Sequence, residues 1–198
     1  MARAEPVYYF DVTCPMSYLA AERVERSLGQ IEWVAIDGSA TRGDEPGVAV
    51  DDLTRAAAEL QARALRLPLI WPEPFADGGV RARRAASFAC ELGAGAGFAL
   101  AAGRLAYCGG FDLDDPETLA EAAAAAGVPL TPCLEAASEA WRDDELRELG
   151  RTLWSHGVSE VPVISIGERW FGGVTGLIAA DAQLGQAVGA QQPLAPAG

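Results

Sequence analysis

The sequence predicts an α/β fold in which one mixed sheet, flanked by helices, is interrupted by an all-helical insertion. Three observations carry this reading. The first 36 residues switch from strand to helix to strand. A stretch from about 51 to 156 is rich in Ala, Leu, Glu and Arg with almost no β-branched runs. A strand pair and one helix then close the chain.

In "PVYYFDV" (6–12), aromatic and β-branched residues predict a strand. Over "SYLAAERVERSLG" (17–29) the apolar period lengthens. Tyr18, Leu19, Val24 and Leu28 fall near one stripe, charges fall opposite, and Gly29 is a stop signal. In "QIEWVAI" (30–36), Ile31 and Trp33 alternate with Glu32, which predicts a second strand. Its short helical connection to the first makes the pair parallel and right-handed. "DGSATRGDEPG" (37–47) reads as a loop. Helices follow at about 51–66, 80–93, 95–107, 115–126, 130–140 and 143–155. Asp114 or Asp115 is placed to cap the fourth of these ahead of Pro116. "VPVISIG" (161–167) and "RWFGG" (169–173) meet at Gly167-Glu168 and predict a β-hairpin, with a last helix at about 174–189. Residues 1–40 and 157–190 then form one unit, 41–156 the insertion and 191–198 a frayed tail.

Composition narrows the function. The formal charge is −13, from 28 acidic and 15 basic residues. Such a surface repels phosphate backbones, which argues against a nucleic-acid partner. No stretch approaches the roughly 18 apolar residues of a membrane span, and the N-terminus lacks the apolar core of a signal peptide. A cytoplasmic protein without a membrane partner is expected. The four cysteines, Cys14, Cys90, Cys108 and Cys133, show no C-x-x-C or Cys/His spacing, and His156 is the one histidine. That pattern supports no metal site and, in a reducing compartment, no disulfide framework. Cys90, Cys108 and Cys133 are expected to be packing residues within the helical block.

Cys14, in "TCPMSY" (13–18), is different. It stands between a strand and a helix, with Pro15 suited to the first turn. The free N–H groups and dipole of a helix N-terminus favour a thiolate. A cysteine there can fall from a pKa of about 8.5 to between roughly 3.5 and 7.5. Ser17, one turn on, can donate its hydroxyl to the sulfur. A small buried residue is the competing reading of Cys14, and local sequence leaves the two even. "HGVSEVPVISIG" weights the first. Pro162, second residue of a strand, cannot donate to a ladder, so an edge position, a bulge or a cis bond is indicated. If that strand adjoins the first, Pro162 faces the Cys14 loop.

"YYFDVTCPMSYLAAERVERSLG" and "GVSEVPVISIGERWFGG", together with "RALRLPLIWPEPFADGG", "RARRAASFACELG" and "GGFDLDDPETLAEAAAAAGV", resemble the DsbA-like thioredoxin-fold superfamily. That group includes DsbA-type oxidoreductases, 2-hydroxychromene-2-carboxylate isomerases and kappa-class glutathione transferases. The resemblance spans nearly the whole chain. It implies a thioredoxin-like fold (β-α-β, then β-β-α) with a helical insertion. Cys14 is then the catalytic position and Pro162 a cis-proline opposite it. The Val161 backbone would pair with an extended substrate or thiol cofactor.

Two departures shape the expected chemistry. Dithiol oxidoreductases carry a second cysteine where Ser17 stands, so Cys14 here can form only a mixed disulfide that an external thiol resolves. Glutathione-using relatives carry charged residues after the glycine that follows the last strand, whereas this chain reads "GGVTGL". The expectation is a thiol-dependent oxidoreductase with a single active-site cysteine. The alternatives are a glutathione-dependent isomerase or transferase and a redox-inactive peptide-binding module. The cofactor would be glutathione or another low-molecular-weight thiol, and a homodimer would fit the resembling subfamilies.

Several further residues are candidates. Asp11 could tune Cys14 or shuttle protons, or only bond a strand end. Trp71, Pro72 and Phe75 could line a pocket between the helical block and the sheet. In "RARR" (81–84), Arg81 or Arg84 could meet an acidic substrate or cofactor carboxylate. His156 is placed to complement a helix C-terminus.

Overall fold

Residues 5–42, 52–73 and 78–189 are described by the structure, a computed structural model. Four strands form one mixed sheet: β1 (Val7–Phe10), β2 (Glu32–Ala35), β3 (Val163–Ile166) and β4 (Arg169–Gly172), in the order β2-β1-β3-β4. β1 runs parallel to β2, with Val7 opposite Glu32 and Phe10 opposite Ala35. α1 (Pro15–Leu28) supplies the crossover and ends at Gly29, whose φ of +77° suits a residue without a Cβ. β3 is antiparallel to both β1 and β4, and β3 and β4 turn at Gly167-Glu168.

Alternation along the strands sorts the core into two layers. Tyr8, Phe10, Trp33 and Ile164 face one side, in a cluster with Leu19 and Val24 of α1 and Leu177 of α8 (Gly173–Gly189). α3 (Val80–Glu91) and α4 (Gly95–Tyr107) complete that cover with Ala85, Ala89, Phe98 and Ala102. The other face of the sheet presents Tyr9, Val34, Val163 and Trp170. They pack with Ile36, Leu153 and Val158, and Leu153 belongs to α7 (Arg142–Ser155). α7, which the sequence places within the helical block, is thus a layer of the sheet.

α2 (Asp52–Leu65), α5 (Pro116–Ala126) and α6 (Leu130–Ala136) make up the remaining helices. Asp115 caps α5, accepting from the Glu117 amide ahead of an N1 proline. α6 stops well short of the expected residue 140. The chain turns through i→i+3 bonds from Ser138 to Glu135 and from Glu139 to Ala136. That turn delivers Arg142 to Glu91 of α3, where its side chain is buried and ion-paired. A tertiary ion pair overrides the local alanine pattern. Among the described residues, no helix is long and apolar enough to cross a membrane. The expected tail, 191–198, lies outside them.

Gly150 fixes how closely α7 approaches a 3-10 turn at Gly38–Arg42. A Cβ there would lie 2.7 Å from both the Ala40 Cβ and the Asp37 carbonyl oxygen. Gly150→Ala is expected to destabilise the fold by about 1–3 kcal/mol despite alanine's better helix propensity. Urea unfolding checks the sign, since an uncrowded site would be stabilised instead.

Candidate functional site

Four residues, Asp11 to Cys14, separate the end of β1 from the start of α1. The Asp11–Thr13 turn closes when the Cys14 amide donates to the Asp11 carbonyl at 3.0 Å. Cys14 is the N-cap of α1 with extended backbone, and Pro15 opens the helix. Because β3 pairs with β1 and sets Val163 opposite Tyr9, the residues ahead of β3 arrive beside this turn. The Val161–Pro162 peptide is cis, Pro162 is buried, and the Cys14 Sγ lies 3.9 Å from the Val161 carbonyl oxygen. Two loops 147 residues apart thus meet at a half-buried thiol.

Around the sulfur, the Ser17 hydroxyl and the amides of Ser17 and Met16 favour the thiolate. They do not prevail. Burial, followed by the Asp11 carboxylate, raises the Cys14 thiol above its ordinary 9.0. The helix N-terminus predicts the opposite. The correction has a physical cause: lost hydration and a nearby anion outweigh three hydrogen bonds, so the thiol holds its proton at neutral pH. Tyr8, whose hydroxyl donates to the Ser17 carbonyl at 2.8 Å, and Tyr107, whose hydroxyl donates to the Thr13 carbonyl, are also raised by burial first and Cys14 second.

Asp11 is a buried hub, 3 % exposed. Its Oδ1 accepts from the Thr13 amide at 2.9 Å and the Thr13 hydroxyl at 2.7 Å, while Oδ2 accepts from the Gly38 amide at 2.9 Å. Arg83 of α3 closes the set. Its Nε lies 3.1 and 3.0 Å from the two carboxylate oxygens, and Nη2 donates to the Thr13 hydroxyl at 2.9 Å. A Cβ on Gly38 would lie 3.0 Å from both the Asp11 Oδ2 and the Val161 side chain, so the 3-10 turn is wedged between anion and proline loop.

Other candidates fall elsewhere. Trp71 donates to Glu59 at 3.1 Å beneath the Arg55 guanidinium, so its partners are on α2, and no hydrogen bond or ring contact among the described residues joins it to the Cys14 loop. Phe75 lies outside the described residues. Arg84 forms a two-bond pair with Asp143 at 2.7–2.8 Å, which engages it in holding α3 to α7. The Arg81 amide donates to Asp114. His156 is the C-cap of α7 and stacks on Trp170, with 4.8 Å between ring centroids. All four cysteines are free, and Cys108 lies 3.1 Å from the Tyr18 hydroxyl. A groove of about 250 Å³ opens further along α1, between Arg23, Gln61, Leu177 and Asp181, and does not include the thiol.

Arg83 is the residue sequence reasoning missed. The sequence carried no signal that sets it apart: Arg81 and Arg83 both flank the buried stripe of Ala82, Ala85, Ala86 and Ala89 on α3, and Arg81, Arg83 and Arg84 are half-buried alike. Thr13 and Tyr107 carried none either.

No protein-family model matches the chain, and no curated protein matches it by sequence. Solved structures do match. A 2-hydroxychromene-2-carboxylate isomerase superposes with a TM-score of 0.76 at 18 % identity, covering 92 % of this chain and 95 % of its own. A probable DsbA oxidoreductase from Streptomyces coelicolor gives 0.70 at 19 % identity, over 98 % and 94 %. A protein described as a disulfide isomerase from Nitrosomonas europaea gives 0.60 at 16 %, over 92 % and 98 %. At such identities the likeness concerns architecture, shared over more than nine-tenths of each chain: this chain has the DsbA-like thioredoxin fold.

Proposed function

We propose that the protein is a thiol-dependent oxidoreductase that works through one cysteine. The Cys14 thiolate attacks a disulfide R–S–S–R′, forming Cys14–S–S–R and releasing R′–S⁻. An external thiolate R″–S⁻ then attacks the mixed disulfide, restores the Cys14 thiolate and leaves R–S–S–R″. The electron pairs balance within each exchange. The observation that carries the reading is the Cys14 sulfur facing the Val161 carbonyl across the cis Val161–Pro162 bond, with Ser17 where a second thiol would stand. An extended substrate would pair with the Val161 backbone beside the sulfur.

The raised Cys14 pKa slows this chemistry without stopping it. Each unit lowers the thiolate fraction at neutral pH tenfold, but the thiolate becomes about threefold more nucleophilic, so exchange slows only about threefold. The same observation favours a second reading, a glutathione-type isomerase or transferase. There the protonated Cys14 would donate to the sulfur of a bound low-molecular-weight thiol, and that cofactor would attack. The uncharged "GGVTGL" (172–177) gives a γ-glutamyl carboxylate no ionic anchor, which leaves another small thiol as the better fit.

The pH profile tests the exchange. With excess dithiothreitol and a small disulfide, the protein-dependent rate is expected to climb with pH and level off only above 9.0, the ordinary cysteine value. A rate already flat between about pH 6 and 8 would mean a low-pKa thiolate and would contradict the site as described. No exchange at any pH would remove the oxidoreductase reading.

A further inference from the structure

We infer that Arg83, a residue of the helical block, is the positioning residue that governs how readily Cys14 loses its proton, by partly offsetting the charge of the Asp11 carboxylate beside it. The functional meaning of this control rests on Cys14 being the reacting thiol, as proposed above.

Asp11 belongs to the turn that presents Cys14, joined to it by the bond from the Cys14 amide to the Asp11 carbonyl. Its carboxylate is as buried as the core, so its field on the sulfur is little screened by water. Arg83 engages both oxygens of that carboxylate through one nitrogen and the neighbouring Thr13 hydroxyl through another. A third nitrogen donates to the Gly78 carbonyl at 3.1 Å. The guanidinium is thus locked at both ends and stays with the carboxylate.

Among the ion pairs of the described residues, Arg83 is the cation on Asp11. Just ahead of the 3-10 turn stands another anion, Asp37, 4.0 Å from the Arg83 Nε. Arg147 of α7 lies 3.7 Å from the other oxygen of Asp37 and is shared with Asp144. Asp114 receives the amides of Gly79 and Arg81 at the start of α3. α1 presents only the Ser17 hydroxyl and two amides to the sulfur. β1 and α4 present the Tyr8 and Tyr107 hydroxyls, and the proline loop presents the Val161 carbonyl with exposed Glu160 beside it. Removing Arg83 would take away the guanidinium that pairs with Asp11 and faces Asp37, leaving the Asp11 charge less compensated beside the turn that carries the thiol.

Two explanations of Arg83 predict opposite signs. If it acts through charge, Arg83→Met pushes the Cys14 proton on more firmly. If it is only a strut, its loss loosens the turn and hydrates the sulfur. Because burial is the leading cause of the raised Cys14 pKa, hydration would lower it. The experiment is the rate of Cys14 alkylation by iodoacetamide against pH, read by peptide mass spectrometry in the full chain, with folding checked by circular dichroism. Arg83→Met is expected to move the midpoint up by about one pH unit, a roughly threefold slower reaction below it once the greater nucleophilicity of the more basic thiolate is counted. Arg83→Lys should stay close to the parent, and Asp11→Asn should move the midpoint down. An unchanged or lowered midpoint in folded Arg83→Met overturns the inference. If that variant does not fold, Asp11→Asn decides alone: a lower midpoint supports the inference and an unchanged one overturns it. Alkylation needs no substrate, so a chain that titrates as described yet catalyses no exchange would sink the oxidoreductase reading and leave this control standing. Active exchange with an unmoved midpoint would do the reverse.

Discussion

Cys14→Ser is expected to abolish the proposed protein-dependent thiol–disulfide exchange, by about a thousandfold or more. Serine keeps the volume and hydrogen bonds of the site but lacks an ionisable sulfur, so the step that forms the mixed disulfide has no nucleophile. Cys90 and Cys133 are not expected to compensate. Burial pushes Cys90 up to about 12, with the amide bond of Ala35 opposing it, and Cys133 is likewise raised by burial. The variant also separates the two functional readings. A serine hydroxyl can still donate to the sulfur of a bound thiol, so an isomerase or transferase would retain much of its turnover. Complete retention of exchange activity in Cys14→Ser would place the reacting group elsewhere.

Asp11→Ala is the stability prediction with the largest expected effect, a loss of about 3–5 kcal/mol in urea unfolding. Breaking a buried pair from one side strands its partner's charge, which is worse than removing both. Alanine would also leave the Gly38 and Thr13 amides without the acceptor they now share. The companion double variant, Asp11→Asn with Arg83→Met, should recover a substantial part of the loss because no unpaired ion remains. A single variant that loses under 1 kcal/mol would mean the pair is exposed to water in solution and would remove the buried hub from the account.

Most of the fold was legible because its signals are local. Aromatic and β-branched runs marked β1 and β2, Gly29 marked a helix end, and the Gly167 turn marked the hairpin. The apposition of Cys14 and Val161–Pro162 followed once β1 and β3 were taken as neighbours, since both motifs stand at the same end of those strands. What stayed hidden depends on partners far away in sequence. The sign of the Cys14 pKa could not be read from a helix N-terminus, because burial and Asp11 decide it. Arg83 was indistinguishable in charge from Arg81 and Arg84 until the face of α3 was known. Trp71 reads as a pocket aromatic, yet Arg55 and Glu59, on the helix before it, engage it first.

The central claim is that one thiol, Cys14, carries a mixed disulfide that only an outside thiol can resolve. Incubating the protein with a small symmetrical disulfide at about pH 9, quenching with acid and measuring intact mass tests it directly. The account predicts one adduct per chain, mapped to Cys14, persistent on dilution and removed by dithiothreitol. An adduct mapped instead to Cys90, Cys108 or Cys133, or an internal disulfide formed in its place, would contradict it.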